Sequence, residues 1–111
     1  MKRAHEDYLH DMLDNAERAL DFVHGMEFDW FFEDEKTSYA VVRALEIIGE
    51  AARLVPKDVR AAIPDLQWRE ISAMRNKLTH EYFGVNMKVV WRTVQEDLPP
   101  LILALRKALK K

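Results

Sequence analysis

The sequence predicts an all-α protein, in which residues 1–111 form a single-domain bundle of four to five helices. Two observations predict this class. Apolar residues recur at steps of three and four along most of the chain, which is the spacing of one buried helix face. Three glycines and four prolines are too few for the many turns of a β-sandwich. A length of 111 residues is also that of one ordinary domain.

The first half of the chain predicts two long helices joined by an aromatic connector. Apolar residues at helical spacing extend over residues 4–25, and Gly25 is expected to end this helix. Residues 28–32, Phe-Asp-Trp-Phe-Phe, are interpreted as a connector whose rings cover the core. The second helix is predicted over residues 37–55, and it ends there because Pro56 cannot continue it.

The second helix is apolar on two opposite sides, with Ile47 and Leu54 facing away from its main apolar stripe. This pattern predicts a central position, either inside the bundle or in a subunit interface. A polar stripe also runs along the helix, made of Arg43, Glu46, Glu50 and Arg53. Ion pairs within the helix are the favoured interpretation of this stripe, and contact with a functional cleft or with a partner is the alternative.

The second half of the chain predicts a short helical segment followed by three further helices, over residues 57–63, 66–82, 87–98 and 101–109. Asp65 and Asn86 are expected to cap the helices that follow them, and Gly84 is expected to end the helix before it. The pair Pro99-Pro100 predicts a break before the last helix, with Pro100 in the first turn of that helix.

Composition excludes several classes of protein. The chain has no cysteine, which excludes disulfide frameworks, thiolate zinc sites and cysteine nucleophiles and fits a reducing cytosol. No apolar run approaches the roughly 18 residues of a membrane-spanning helix. The N-terminus turns acidic where an export signal would turn apolar. We therefore expect a cytoplasmic protein.

Charge is unevenly distributed along the chain. The net charge of −2 argues against a non-specific nucleic-acid binder, which normally has a basic excess. Residues 1–36, however, contain four basic and 11 acidic side chains, whereas residues 37–111 contain 13 basic and eight acidic ones. The near-neutral total therefore combines an acidic front with a basic back, which includes Lys88 and Arg92.

The most unusual segment spans residues 74–83, where an arginine, an asparagine, a histidine and a tyrosine occur close together. On a straight helix Asn76 and His80 are i,i+4 neighbours, whereas Arg75 and His80 diverge by about 140°. Arg75 and His80 converge only if the arginine folds around the helix, if the last turn distorts, or if two helices face each other. A symmetric dimer provides the third arrangement and brings two arginines and two histidines to one cleft.

An arginine and a histidine in one cleft are the minimum for RNA cleavage without a metal ion. An imidazole with an ordinary pKa of about 6.5 transfers protons, and a guanidinium stabilises charge that grows on the phosphate. Asn76 would orient the imidazole or donate to a phosphate oxygen. The residues alone leave an alternative open, because a histidine near the C-terminus of a helix also simply favours the helix dipole.

A resemblance to a known family extends over this segment and beyond it. The sequence R-N-K-L-T-H-E-Y at residues 75–82 resembles the R-x4-H-x-Y signature of the HepT-like branch of the HEPN superfamily. Further segments resemble the family's I-G-E-A helix, its W-x-E-I lead-in and its C-terminal third: residues 44–52, residues 68–71, and residues 82–85, 89–91 and 97–99. The resemblance covers residues 7–105. The sequence departs from the family pattern at one point. Many members have a proline next to the tryptophan, whereas residues 63–67 place none next to Trp68, and this difference affects only where the motif helix starts.

The resemblance implies a homodimeric, metal-independent ribonuclease toxin of a type VII HepT–MntA toxin–antitoxin pair, with RNA as its substrate. It implies that Arg75 and His80 are catalytic and that Asn76 supports them. It also implies that Tyr82 is modified with AMP by the cognate nucleotidyltransferase, MntA, and that this AMPylation silences the toxin. Lys77, Thr79 and Arg69 are candidate contacts to the cleft or to RNA.

No metal and no cofactor are expected. The first helix carries His5 and His10 among acidic residues, but a carboxylate-bridged di-metal site would need Glu-x-x-His pairs, and the sequence contains none. A different class of function remains as the alternative. In it, the chain is a non-catalytic helical subunit that binds a nucleotide or a substrate for a neighbouring nucleotidyltransferase.

Overall fold

Helices account for the regular structure of this protein. The computed structural model describes residues 4–80 and 86–110. For residues 74–77, 79 and 80 it describes only the backbone. These described residues contain no strand, and they form seven α-helices and one π-helical turn: α1 (His5–Phe22), α2 (Phe28–Glu33), α3 (Glu35–Leu54), α4 (Lys57–Ala61), α5 (Trp68–His80), α6 (Met87–Arg92), the π turn (Thr93–Asp97) and α7 (Leu98–Ala108). The predicted all-α class is therefore confirmed, and three of the helices have only five or six residues.

Helix α3 is the centre of the bundle. It packs against α1 on one side and against α5 on another, while α7 lies along α1. The core between them is continuous and includes side chains with almost no exposed surface, such as Met12, Leu45, Ile48 and Leu105. The predicted central position of α3 in the bundle is confirmed. Its second apolar side is not part of the core, since Ile47 is half-buried and Leu54 is 42% exposed.

Helix ends agree with most of the predicted signals. Helix α3 begins at Glu35, two residues before its predicted start. Its cap, which was not predicted, is the carboxylate of Asp34, which accepts a hydrogen bond from the backbone N–H of Thr37 at 3.0 Å. The side chain of Asn86 caps α6 by accepting from the N–H of Lys88 at 2.9 Å, as predicted. Gly25 follows α1 with a φ of +79°, a left-handed conformation that suits glycine. The predicted cap at Asp65 is wrong, because α5 begins at Trp68, three residues further on.

The predicted break at Pro99-Pro100 is also wrong. Both prolines lie in the first turn of α7, which continues directly from the π turn. A proline has no N–H, and its ring crowds the carbonyl four residues earlier in an α-helix. The wider π turn comes just before the prolines, and there the N–H of Leu98 donates to the carbonyl of Thr93, five residues back. The helical path is therefore kept through a local change of hydrogen-bond register.

The aromatic segment over residues 28–32 differs from the predicted connector. It forms helix α2, and a helix of this length can bury only one side. Phe31 is fully buried in the core, whereas Trp30 and Phe32 remain 57% and 59% exposed. Phe31 therefore covers the core as predicted, and the half-buried Phe28 packs against it. The next helix is tied to this one by the hydroxyl of Ser38, which donates to the carbonyl of Phe31 at 2.6 Å.

Candidate functional site

Arg75 and His80 lie on one continuous helix. The backbone of α5 is α-helical from Trp68 through His80, so that both residues belong to the same uninterrupted helical segment. Five residues along such a helix correspond to a rotation of about 140°. The side chains of the predicted site residues Arg75, Asn76, Lys77, Thr79 and His80 lie outside the described part of the chain, as does all of Tyr82.

Helix α5 is anchored at its start and along one face. The indole N–H of Trp68 donates to the carbonyl of Ile63 at 3.0 Å, which ties the first turn to the preceding loop. Leu66 and Leu78 are buried in the core, and Ile71 is half-buried between them. Arg69, a predicted RNA contact, is exposed on the same helix. A helix anchored in this way holds the backbone positions of Arg75 and His80 fixed relative to the rest of the bundle.

The polar stripe of α3 contains one of the predicted ion pairs. A guanidinium nitrogen of Arg53, Nη2, donates to Oε1 of Glu50 at 2.7 Å. This hydrogen bond, together with the charge of Glu50, raises the pKa of the Arg53 guanidinium above its ordinary value. The ion-pair interpretation is thus confirmed for Glu50 and Arg53. For Arg43 and Glu46 it stays a prediction.

A small cavity beside the first half of α5 is acidic. It has a volume of about 190 Å³ and lies between α3, α5, the π turn and α7. Among the side chains that the structure describes, its wall includes the carboxylates of Asp65, Glu70 and Asp97 and no basic group. Carboxylates repel the phosphates of a nucleic acid, so this cavity is unsuited to RNA.

A second concave surface, which we call the aromatic corner, lies where α2 meets α6. It consists of the rings of Phe28, Phe32 and Trp91 together with the charged side chains of Lys88 and Arg92. The ring centroids of Phe28 and Phe32 are 5.8 Å apart, and those of Phe28 and Trp91 are 6.2 Å apart in an edge-on arrangement. Phe28, Trp91 and both basic residues line an open cleft of about 500 Å³.

Comparison with known proteins identifies the family. Residues 12–108 match the family model described as ribonuclease HepT-like. The chain belongs to this HepT-like family. Among its relatives, the "Probable ribonuclease HepT" of Thermococcus cleftensis is 48% identical over 101 residues, which are 91% of this chain and 92% of that protein.

Two other relatives have names that give RNase as an inferred activity. One, from Caldanaerobacter subterraneus, is 40% identical over 104 residues, covering 94% of this chain and 93% of its own. The other, from Methanocaldococcus jannaschii, is 38% identical over 109 residues, covering 98% and 90%. No solved structure matches the chain. The family predicted from the R-x4-H-x-Y signature and its companion segments is therefore confirmed.

Neither a metal-binding cluster nor a membrane-spanning helix is found among the described residues of this HepT-like chain. Within residues 4–80 and 86–110, no three His, Asp or Glu side chains are placed to hold a metal ion. None of the described helices combines the length and the apolar character that a membrane crossing requires.

Sequence reasoning missed the aromatic corner as a unit. The i,i+4 pair Phe28 and Phe32 and the i,i+4 pair Lys88 and Arg92 are both visible in the sequence once helices are assumed there. The contact between Phe28 and Trp91, however, joins residues far apart in the chain, so that only the folded structure shows the two pairs as neighbours.

Proposed function

We propose that this chain is a metal-independent endoribonuclease and the toxin of a type VII HepT–MntA toxin–antitoxin pair. The observation that carries the proposal is the R-x4-H-x-Y motif at residues 75–82, in a chain that belongs to the HepT-like ribonuclease family. The names of its relatives support RNA as the substrate. Arg75 and His80 are the proposed catalytic residues.

In the proposed reaction, His80 acts on protons and Arg75 acts on charge. The imidazole of one His80 accepts the proton of a ribose 2′-hydroxyl as its oxygen attacks the adjacent phosphorus. The bond from phosphorus to the 5′-oxygen breaks, and that oxygen takes a proton from a second imidazole. Arg75 stabilises the negative charge that accumulates on the phosphate oxygens. Asn76 orients an imidazole or donates to the phosphate.

A homodimer would supply the second histidine. On the continuous helix α5, the positions of Arg75 and His80 are about 140° apart around the helix axis, which favours a site completed by a second chain. Two α5 helices that face each other across a two-fold axis bring each arginine near the partner's histidine. Lys77, Thr79 and Arg69 are then candidate RNA contacts along the same cleft, with Arg69 exposed on α5.

The test is RNA cleavage by purified, unmodified protein. We expect His80→Ala to lower the cleavage rate about 100-fold or more, because general acid–base catalysis contributes about 10²–10⁴-fold. His24→Ala is the matched control, since His24 is an exposed histidine that follows α1, and it should cleave RNA at the parent rate. Addition of EDTA should leave the rate unchanged.

Two results would contradict this assignment. Equal activity of the parent and of His80→Ala would show that His80 is not catalytic. An inert parent that binds ATP tightly would instead favour the alternative, in which the chain is a non-catalytic nucleotide-binding subunit of a nucleotidyltransferase.

Tyr82 is the proposed site of regulation by AMPylation. An AMP group there would place a bulky anion two residues from His80 and, on an ideal helix, on the face of Arg75. It would block the cleft and neutralise the arginine. Co-expression with the cognate MntA nucleotidyltransferase should therefore increase the mass of the protein in units of AMP, and Tyr82→Phe should prevent the increase. An unchanged mass of the parent beside an active transferase would refute this step.

A further inference from the structure

We infer that the aromatic corner is a binding subsite for single-stranded RNA, in which bases stack on exposed rings and backbone phosphates contact Lys88 and Arg92. The inference rests on the proposed ribonuclease function for the identity of its ligand. It concerns a surface formed by α2 and α6, distinct from the Arg75 and His80 motif on α5.

The rings of the aromatic corner are available to a ligand. Phe32 is 59% exposed and lies beside Phe28, which lines the cleft together with the half-buried Trp91. The buried ring of Phe31 supports this layer from below, with its centroid 5.1 Å from that of Trp91. The stacking surface is therefore held by the core, and little ordering is needed when a base binds.

The two basic side chains that line the cleft both belong to α6. Lys88 and Arg92 are both exposed and lie four residues apart on α6, so that they project from one face of that helix. The phenyl rings of Phe28 and Phe32 come from the other helix, α2. A nucleotide strand fits this arrangement with its phosphates along α6 and its bases over α2, as in other single-strand sites that combine stacking rings with a basic edge.

One acidic group lies inside the cleft, and it does not block an anion. Oε2 of Glu96 is 3.8 Å from Nε of Arg92, and both side chains are about two-thirds exposed. An exposed ion pair of this length contributes little to stability, so that a phosphate can replace the carboxylate as the partner of Arg92. The acidic residues of α2, Asp29 and Glu33, do not line the cleft.

The subsite favours a single strand over a duplex, because paired bases are stacked on each other and cannot lie on a protein ring. It also lies within reach of the motif helix. Residues 81–86 connect His80 to Met87, so that the end of α5 and the start of α6 are at most about 25 Å apart. A single RNA strand of a few nucleotides spans such a distance.

The experiment measures RNA binding in the His80→Ala background, so that the ligand is not cut. A labelled single-stranded oligoribonucleotide is titrated by fluorescence anisotropy over a series of KCl concentrations. We expect Phe32→Ala to weaken binding about 5- to 30-fold without changing the salt dependence, since it removes a stacking surface. Lys88→Gln should weaken binding and reduce the slope of log K against log salt by about 0.7, the value for one phosphate contact on a single strand.

The chain offers matched controls for both changes. Trp30 is a similarly exposed aromatic residue of α2 that is not part of the aromatic corner, whereas the ring centroid of Phe32 lies 5.8 Å from that of Phe28. Lys57 is an exposed lysine on α4. Trp30→Ala and Lys57→Gln should bind RNA like the parent. Phe32→Tyr keeps the ring and should also bind like the parent, and all variants are checked for unchanged helical content.

The inference is overturned if Phe32→Ala binds RNA as the parent does, if Trp30→Ala weakens binding equally, or if the His80→Ala protein binds no RNA. A change in oligomeric state caused by Phe32→Ala, with RNA affinity unchanged, would identify the aromatic corner as a protein contact and also overturn it. The two proposals fail separately. Equal cleavage by the parent and by His80→Ala, or an inert parent, contradicts the catalytic proposal, whereas RNA binding in the inactive background tests only the subsite.

Discussion

The centre of the bundle and the aromatic corner use apolar residues in different ways. Helices α1 and α3 are 18 and 20 residues long, and each turns one apolar stripe continuously toward the core. Helix α2 has only six residues, four of them apolar, and buries one. The short helix therefore buries a much smaller share of its apolar residues than the two long helices do.

Periodicity explains the difference. Repeated spacing over five turns lets a long helix bury one side and leave the other to charged residues. A short run of adjacent aromatic residues points in all directions around the helix axis, so that burial of one ring forces others toward solvent. Isolated exposed residues such as Leu103 are ordinary on a protein surface. The rings of the aromatic corner differ from them because they are contiguous and lie next to basic residues.

The largest expected effect comes from substituting the adjacent rings at positions 31 and 32, one in the core and the other in the aromatic corner. Phe31→Ala should lower the free energy of unfolding by about 3–5 kcal/mol, because it leaves a cavity in the core. Phe32→Ala should change it by less than about 0.5 kcal/mol, since that ring is mostly in water. Urea denaturation followed by circular dichroism measures both values.

Phe31→Leu keeps the measurement possible if Phe31→Ala does not fold, and its loss should lie between those of the other two variants. Comparable losses for the variants at positions 31 and 32 would show that the division between core and corner is misplaced. A large loss of stability for Phe32→Ala alone would show that Phe32, and not Phe31, belongs to the core.

The caps of the two regions provide a smaller test. Asp34 caps the core helix α3, and its hydrogen bond from the N–H of Thr37 holds the pKa of its carboxyl below the ordinary value. A lowered folded-state pKa adds stability that is present above the pKa of the unfolded chain and is lost as the pH falls through the folded pKa. Unfolding measured at about pH 7 and about pH 3 should therefore show an acid-dependent loss that Asp34→Asn reduces, because asparagine still accepts the bond but does not titrate.

Asn86 serves as the control for this cap, since it caps α6 through an amide oxygen that does not titrate in this range. Asn86→Ala should lower stability by about 1 kcal/mol, equally at both pH values. If Asp34→Asn keeps the full acid dependence of the parent, the carboxyl of Asp34 is not its source.

Much of the fold could be predicted from the sequence, and the reasons are local. The stripe of α3, the cap at Asn86 and the turn at Gly25 depend on residues within a few positions of each other. The errors at Asp65 and at Pro99-Pro100 both concern local signals that the folded chain did not follow. Helix α5 begins at Trp68 instead of directly after Asp65, and the π turn accommodates the prolines without a break.

The candidate site divides in the same way. The order of Arg75, Asn76, His80 and Tyr82 is a property of the sequence, and so is the resemblance that led to the HepT-like family. The backbone of α5 adds that Arg75 and His80 share one continuous helix. The aromatic corner was not predictable, because no local rule states that α6 will lie against α2.

The sequence by itself determined that this protein is helical, which sides of its long helices are apolar, and which residues carry its motif, since each of these follows from spacing along a few turns. Tertiary structure alone decided which ring of residues 28–32 is buried and that Trp91 packs on it. It also decided that Arg106 of α7 pairs with Glu17 of α1 at 2.7 Å. Such contacts join residues that are distant in the chain, and they depend on how whole helices fill one core.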